Sequence, residues 1–217
     1  MRLTQRRALL ERSDWCVLDS RFVYLAVGLS VIGAYGYVRD TLRGTTAPNR
    51  VTWSLWGIEA VLAAFNEIQQ HVGLVALMTL MLGLVPIVVV AASFRNPHGV
   101  WSLGPFDVVC GVVSLLGLGA WLFVHEATLA LVSFVAADQI AALPTLRKSW
   151  VAPETESSGV FFLGAANTLI AILTLDAFTT AGALFPGCIM VMDFCLAMLI
   201  FTRAGPRLRA RRRSSLA

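Results

Sequence analysis

Charge is what this chain has least of. Asp, Glu, Lys and Arg make up only 14% of its 217 residues, against about 25% in an ordinary soluble domain. The deficit falls in long uncharged runs, which lack the polar faces a water-soluble fold would need. Lysine is scarcer still: Lys148 is the only one. Retinal chemistry needs a lysine deep in a helix, and Lys148 reads as a loop residue, so that class is set aside. The three histidines, His71, His98 and His125, divide between opposite sides and form no metal-enzyme cluster. Glu67 and His71 share a helix face at i,i+4 spacing and could meet His125 and Glu126, but one turn of such spacing is common by chance. No serine or cysteine nucleophile sits beside a histidine at matching depth, and no glycine-rich phosphate loop occurs. No enzymatic activity, cofactor or metal is expected.

Cysteine is sparse too. Cys16, Cys110, Cys188 and Cys195 make no disulfide pattern, and three of them lie inside hydrophobic runs as small core residues. Residues 1–20 lack the apolar stretch of a cleavable signal peptide, so the first helix is expected to serve as its own insertion signal.

What is abundant is apolar. Hydrophobic residues reach 57% and the mean hydropathy is +0.74. A membrane-spanning helix needs about 20 mostly apolar residues, because lipid offers no partners to backbone N–H and C=O groups. Seven segments answer to this: 22–38, 51–66, 73–94, 103–124, 127–143, 159–177 and 181–202. The connections between them are too short for a soluble domain. Counting Lys and Arg on alternate loops gives five on one side, all in the N-terminal segment (Arg2, Arg6, Arg7, Arg12, Arg21). Twelve fall on the other, half of them in the tail from Arg203 to Arg213. Positive loops stay inside, so the C-terminus is expected in the cytoplasm and the N-terminus outside, across a plasma membrane. The tail arginines read as topology determinants that touch anionic headgroups, not as a nucleic-acid contact.

A repeat underlies the seven segments. Tyr37 to Pro48 reads YVRDTLRGTTAP, and Ala142 to Pro153 reads ALPTLRKSWVAP. Placing Pro48 on Pro153 shifts the chain by 105 residues, matches Ala47 to Ala152 and Arg43 to Lys148, and lays segments one to three on five to seven. Two units facing the same way need an odd helix between them, and the fourth segment supplies it. The expected fold class is an all-α membrane protein of seven transmembrane helices, two parallel three-helix repeats joined by a linker helix. Its parts are an outer segment 1–21, repeats 22–94 and 127–202, a linker 103–124 and a basic tail 203–217. Parallel repeats of this kind build transporters.

Three helices, one, then three, with a basic proline-bearing loop after the first and fifth, resembles the PQ-loop and SWEET superfamily. The wording of the loops, Tyr37 to Trp56 and Leu143 to Glu156, is similar to an uncharacterised bacterial branch of it. The Pro-Gln dipeptide itself is absent: Pro144-Thr145 stands near its place in the second half and Arg39-Asp40 in the first. The resemblance implies a small-solute carrier with a central pathway between two three-helix bundles.

Ionisable and amide groups at mid-membrane are the strongest functional pointers, since each is costly in lipid. Glu59 lies about 12 Å into the second segment at about 1.5 Å per residue. Asp138, Gln139, Asn167 and Asp193 fall at similar depth on three other segments. One polar centre among apolar walls suits a small polar, sugar- or amino-acid-like solute, with Trp53 and Trp56 able to stack on it. No Lys or Arg lies at that depth, which leaves the carboxylates open to proton or cation coupling. The plainer role is interhelical hydrogen bonding at about 0.6 kcal/mol each, an even alternative for Asn167 and Gln139. Pro86 and Pro144 are expected hinges, Pro144 equally a helix end. Pro48 and Pro153 are expected in the first turns of the second and sixth helices, near the cytoplasmic gate, with Glu154 and Glu156 at the positive end of the sixth. The expected partners are the lipid bilayer and a small polar solute, with self-association left open. A non-transporting membrane scaffold or partner-binding protein of the same fold is the alternative, in which the polar centre would be packed shut.

Overall fold

The computed structural model describes residues 17–69, 75–96, 102–123, 127–175 and 180–214. Among them are eight α-helices, one short 3₁₀ turn and no strand. They are α1 (Phe22–Leu42), α2 (Arg50–Gln69), α3 (Val75–Ser93), α4 (Pro105–Phe123), α5 (Ala127–Val151), α6 (Ser158–Leu173), α7 (Thr180–Thr202) and α8 (Ala204–Ser214), with the 3₁₀ turn Pro153–Thr155 between α5 and α6. The arginines of the 1–16 segment, Cys16, His71, His98, His125 and Glu126 lie outside the described residues.

Three stretches, Phe22–Leu42, Ala76–Ser93 and Ala183–Thr202, are long and apolar enough to cross a membrane. Shorter apolar helices cover Pro105–Ala120 and Ser158–Leu173. The outward faces carry large apolar side chains in the open, among them Ile32, Tyr35, Leu116 and Phe201. Water penalises contiguous apolar surface of this extent and hydrocarbon does not, so the exterior is compatible with a membrane protein.

Packing follows one pattern twice. α3 packs against both α1 and α2, and α7 packs against both α5 and α6. Between these groups α1 lies on α6 and α2 lies on α5. α4 packs on α5 and more lightly on α2, outside that pattern.

The helix ends gather at two poles. At one, Leu18 N–H donates to the Leu173 carbonyl (3.0 Å), joining the start of α1 to the end of α6. At the other lie the loops after α1, α3, α5 and α7. There Gly44, at φ +79°, closes α1 with a left-handed turn that glycine takes without steric cost. Asn49 then caps α2: its Oδ1 accepts from the backbone N–H of Val51 (3.1 Å) and Thr52 (3.3 Å). Its Nδ2 donates to Asp107 Oδ1 (2.6 Å), and Asp107 Oδ2 accepts from Gly104 N–H (2.7 Å), which pins α4 beside α2. Arg50 donates to Ser93 Oγ and carbonyl, and Asn96 Nδ2 to the Thr41 carbonyl, tying α3 to both neighbours. At the same pole Arg203 takes φ +50° and turns the chain from α7 into α8. α8 docks with Gly205 on the Trp150 backbone and Arg209 on the Val151 carbonyl (2.9 Å).

Several expected boundaries are corrected. α1 runs on to Leu42, and α5 to Val151, eight residues past its apolar run, so that Pro144 and Lys148 are helical. Those last two turns carry buried Thr145, Lys148 and Ser149 because they face the neighbouring loops and not lipid. Proline costs the turn one hydrogen bond without ending it. Pro48 precedes the Asn49 cap, outside the first turn of α2, and Pro153 opens the 3₁₀ turn and not α6. The basic tail forms α8 over Ala204–Ser214.

Candidate functional site: a cavity at mid-bundle

A cavity of about 90 Å³ opens among α1, α2, α3, α5, α6 and α7. One water needs about 10–15 Å³ on the same scale, so several waters or a small solute can enter. Its polar lining is short: Ser30 on α1, Asp138 on α5 and Asp193 on α7. Trp53 and Trp56 of α2, Phe161 of α6 and Phe185 of α7 supply aromatic walls. Pro86 and its neighbours on α3, with Val160 and Leu163 on α6, complete an apolar surround. No Lys, Arg or His lines it among the described residues.

The two carboxylates are held differently. Asp138 is buried and accepts one hydrogen bond at Oδ2, from Gln139 Nε2 (2.9 Å). Asp193 makes no hydrogen bond among the described residues, and its Oδ2 fills the space that a Cβ on Gly164 would take. Glycine at position 164 is therefore what admits this carboxylate between α6 and α7. The shift that lays Pro48 on Pro153 also lays Trp56 on Phe161 and Gly33 on Asp138, and all four of these last residues line the cavity.

Of the residues singled out from the sequence, the cavity thus brings together Asp138, Asp193, Trp53, Trp56 and Pro86. Asn167 and Gln139 stand one bond behind: Asn167 Nδ2 donates to Ser30 Oγ (2.6 Å), and Gln139 holds Asp138. Glu59 is buried but does not line the cavity. It faces α4, where Ser114 Oγ donates to its Oε1 (3.2 Å) and lies close to the Ala137 carbonyl (2.5 Å). Pro144 is buried within α5, and Pro48 and Pro153 lie at the loop pole.

That pole is closed by aromatic and ionic contacts. Tyr37 stacks on Trp53 at 4.7 Å between centroids, and Trp53 meets Phe161 at 6.1 Å. Beyond them Tyr37 Oη donates to Glu156 Oε2 (2.5 Å), and Lys148 Nζ donates to Glu156 Oε1 (2.7 Å) and to the carbonyls of Ala47 and Thr155. Ala47 N–H donates to the Thr155 carbonyl (2.9 Å), so the loops bearing Pro48 and Pro153 touch. Glu156 is consequently an ion-pair partner and not a helix-end charge, and Lys148 is buried and paired where a loop residue was expected. An open polar groove flanks this contact, bordered by Asp40, Glu154 and Arg203.

No family model, curated protein or solved structure matches this chain. The reading therefore rests on the cavity itself. Ser30 and Gly164 were not singled out by sequence, and nothing in it joined Tyr37 and Lys148 to Glu156. The one signal that reaches any of them is the 105-residue shift, which lays Glu59 on Gly164. Among the described residues no three His, Cys, Asp or Glu side chains gather to hold a metal.

Proposed function

We propose that the chain is a multi-pass membrane carrier for a small polar solute. In this reading seven helices span the bilayer as two parallel three-helix units, α1–α3 and α5–α7, joined by α4. The doubled packing supports it: the third helix of each unit lies against the first two, and α1 on α6 is the counterpart of α5 on α2. The N-terminus lies outside and the basic tail in the cytoplasm. Leu18 bonded to Leu173 at one pole and Arg209 bonded to Val151 at the other support that topology.

The observation that carries the function is a cavity at mid-bundle, walled by all six helices of the two units, with carboxyl groups from α5 and α7 facing it and no Lys, Arg or His among its described lining residues. Alternating access would rock one unit against the other around this cavity. The Tyr37, Lys148 and Glu156 contacts would then form the closed cytoplasmic gate, since they bridge α1, α5 and the loop before α6. A scaffold of the same fold would have no need for an open volume between the two units.

Reconstitution of the full chain in proteoliposomes tests the proposal. Counterflow of labelled small solutes, in which a preloaded unlabelled solute drives uptake of its labelled form, requires a carrier. Saturable counterflow that Asp138→Asn abolishes is expected. Vesicles containing folded protein that exchange no member of a panel of sugars, amino acids and amines would overturn it.

A further inference from the structure

We infer that the solute is a small organic ammonium ion, bound with its charge at Asp138 and Asp193 and its apolar body against Trp56, Phe161 and Phe185. This inference rests on the carrier reading for its route across the membrane, but not for binding. Three features of the cavity carry it.

The first is sign. Two carboxyl groups and no cationic side chain line the volume among the described residues, so the carboxylate of an acid or a zwitterion would find no partner there. A buried carboxylate is stabilised when an opposite charge lies close to it. A bound cation supplies that charge, and a neutral sugar does not.

The second is the availability of acceptors. Asp138 is 6% exposed and accepts a single bond, from Gln139. Its other oxygen has no hydrogen-bond partner among the described residues, and neither oxygen of Asp193 has one. A buried carboxylate that faces a cavity with lone pairs unfilled is an acceptor awaiting a donor or a cation.

The third is the character of the walls. A hard metal ion takes about six or more oxygen ligands. Among the described residues, Ser30, Asp138 and Asp193 are the only lining side chains that bear an oxygen. The remainder is aromatic and aliphatic, which suits carbon. Aromatic faces attract an ammonium centre through the ring quadrupole, most strongly where water is excluded. The walls therefore select an organic cation over sodium or calcium.

Choline and its uncharged isostere 3,3-dimethylbutan-1-ol have nearly the same shape and differ in charge, so they isolate the claim. Titration of each into the purified full chain, read by tryptophan fluorescence and by isothermal calorimetry, is expected to give saturable binding of choline alone. The wild-type pair needs no variant and cannot be confounded by misfolding. Asp193→Asn and Asp138→Asn should each weaken choline by about tenfold or more, as loss of a charged partner predicts. Equal binding of the two isosteres, or displacement of choline by sodium chloride no better than by glucose together with unchanged affinity in both Asp→Asn variants, would overturn the inference. Choline counterflow in proteoliposomes separates the two readings. Binding without counterflow removes the carrier and keeps the ligand class. Counterflow of a neutral sugar with no choline binding keeps the carrier and removes the ligand class.

Discussion

At the loop pole Glu156 meets Lys148 at 2.7 Å and Tyr37 at 2.5 Å, whereas ten residues before that lysine, on the same helix, Asp138 faces a cavity with no cation in its lining. Both carboxylates are buried. Burial of a charge costs several kcal/mol, and the first site offsets it with an ammonium group and a phenol. The second leaves it open. A buried charge with its partners in place helps hold the fold together, and one that faces an open cavity without them can take a partner from outside. The Lys148–Glu156 pair thus ties the loop pole together, while Asp138 and Asp193 are the carboxyl groups that the proposal gives to a solute.

Removal of Lys148 is the most forceful way to break that comparison. Lys148→Met strands Glu156 among Tyr37 and two loop carbonyls, at a cost of about 3–5 kcal/mol. Thermal unfolding of the purified protein in detergent should show a large drop. Lys148→Met combined with Glu156→Met should recover most of it, since two apolar groups can replace a buried pair. A single variant as stable as the parent would mean that the pair carries no closure.

Gly164→Ala attacks the other side. The added methyl enters the space of Asp193 Oδ2, and overpacking of this kind costs about 1–3 kcal/mol. The carboxylate must move, so choline binding should fall together with the melting temperature. Gly36→Ala is the control, because a Cβ there meets nothing within 4 Å. Parent-like choline affinity in Gly164→Ala would detach Asp193 from the site.

Glu59 sharpens the same comparison between the two kinds of buried acid. Its Oε1 has Ser114, and it faces α4 and not the cavity. Glu59→Gln keeps an acceptor for Ser114, so it should cost under about 1 kcal/mol and leave choline binding intact. Asp138→Asn should weaken that binding by about tenfold or more. Loss of binding in Glu59→Gln as well would extend the site to α4.

The all-helical class was legible, because each of the seven apolar runs is also a helix among the described residues, and three of these are long and apolar enough to cross a membrane. The misjudged stretch is the end of α5, where Thr145, Lys148 and Ser149 break the apolar run yet stay helical against the facing loops. Hydropathy reports contact with lipid, and those turns touch protein. The site was legible in depth and not in direction. Spacing along a helix placed Glu59, Asp138 and Asp193 at one level, but a step of one residue turns a helix by about 100°. Ala60 faces the cavity while its neighbour Glu59 faces α4. Ser30 could not be read at all and Gly164 only as the counterpart of Glu59, because their roles depend on Asn167 and Asp193 across from them.

Asn167 carries the smallest effect and the finest distinction. Its Nδ2 donates to Ser30 Oγ at 2.6 Å, and Ser30 in turn lines the cavity. Interhelical hydrogen bonds of this type are worth about 0.6 kcal/mol in membranes. Asn167→Ala should therefore lower the melting temperature slightly and release the Ser30 hydroxyl, which can then turn toward a bound solute. Affinity for choline should change by less than about threefold, since that energy corresponds to a factor of roughly three. Ser30→Ala should match it in stability, and the double variant should cost no more than either single one, because both remove the same bond. A loss of binding in Asn167→Ala comparable to that of Asp138→Asn would place the amide itself against the solute and widen the polar centre to α6.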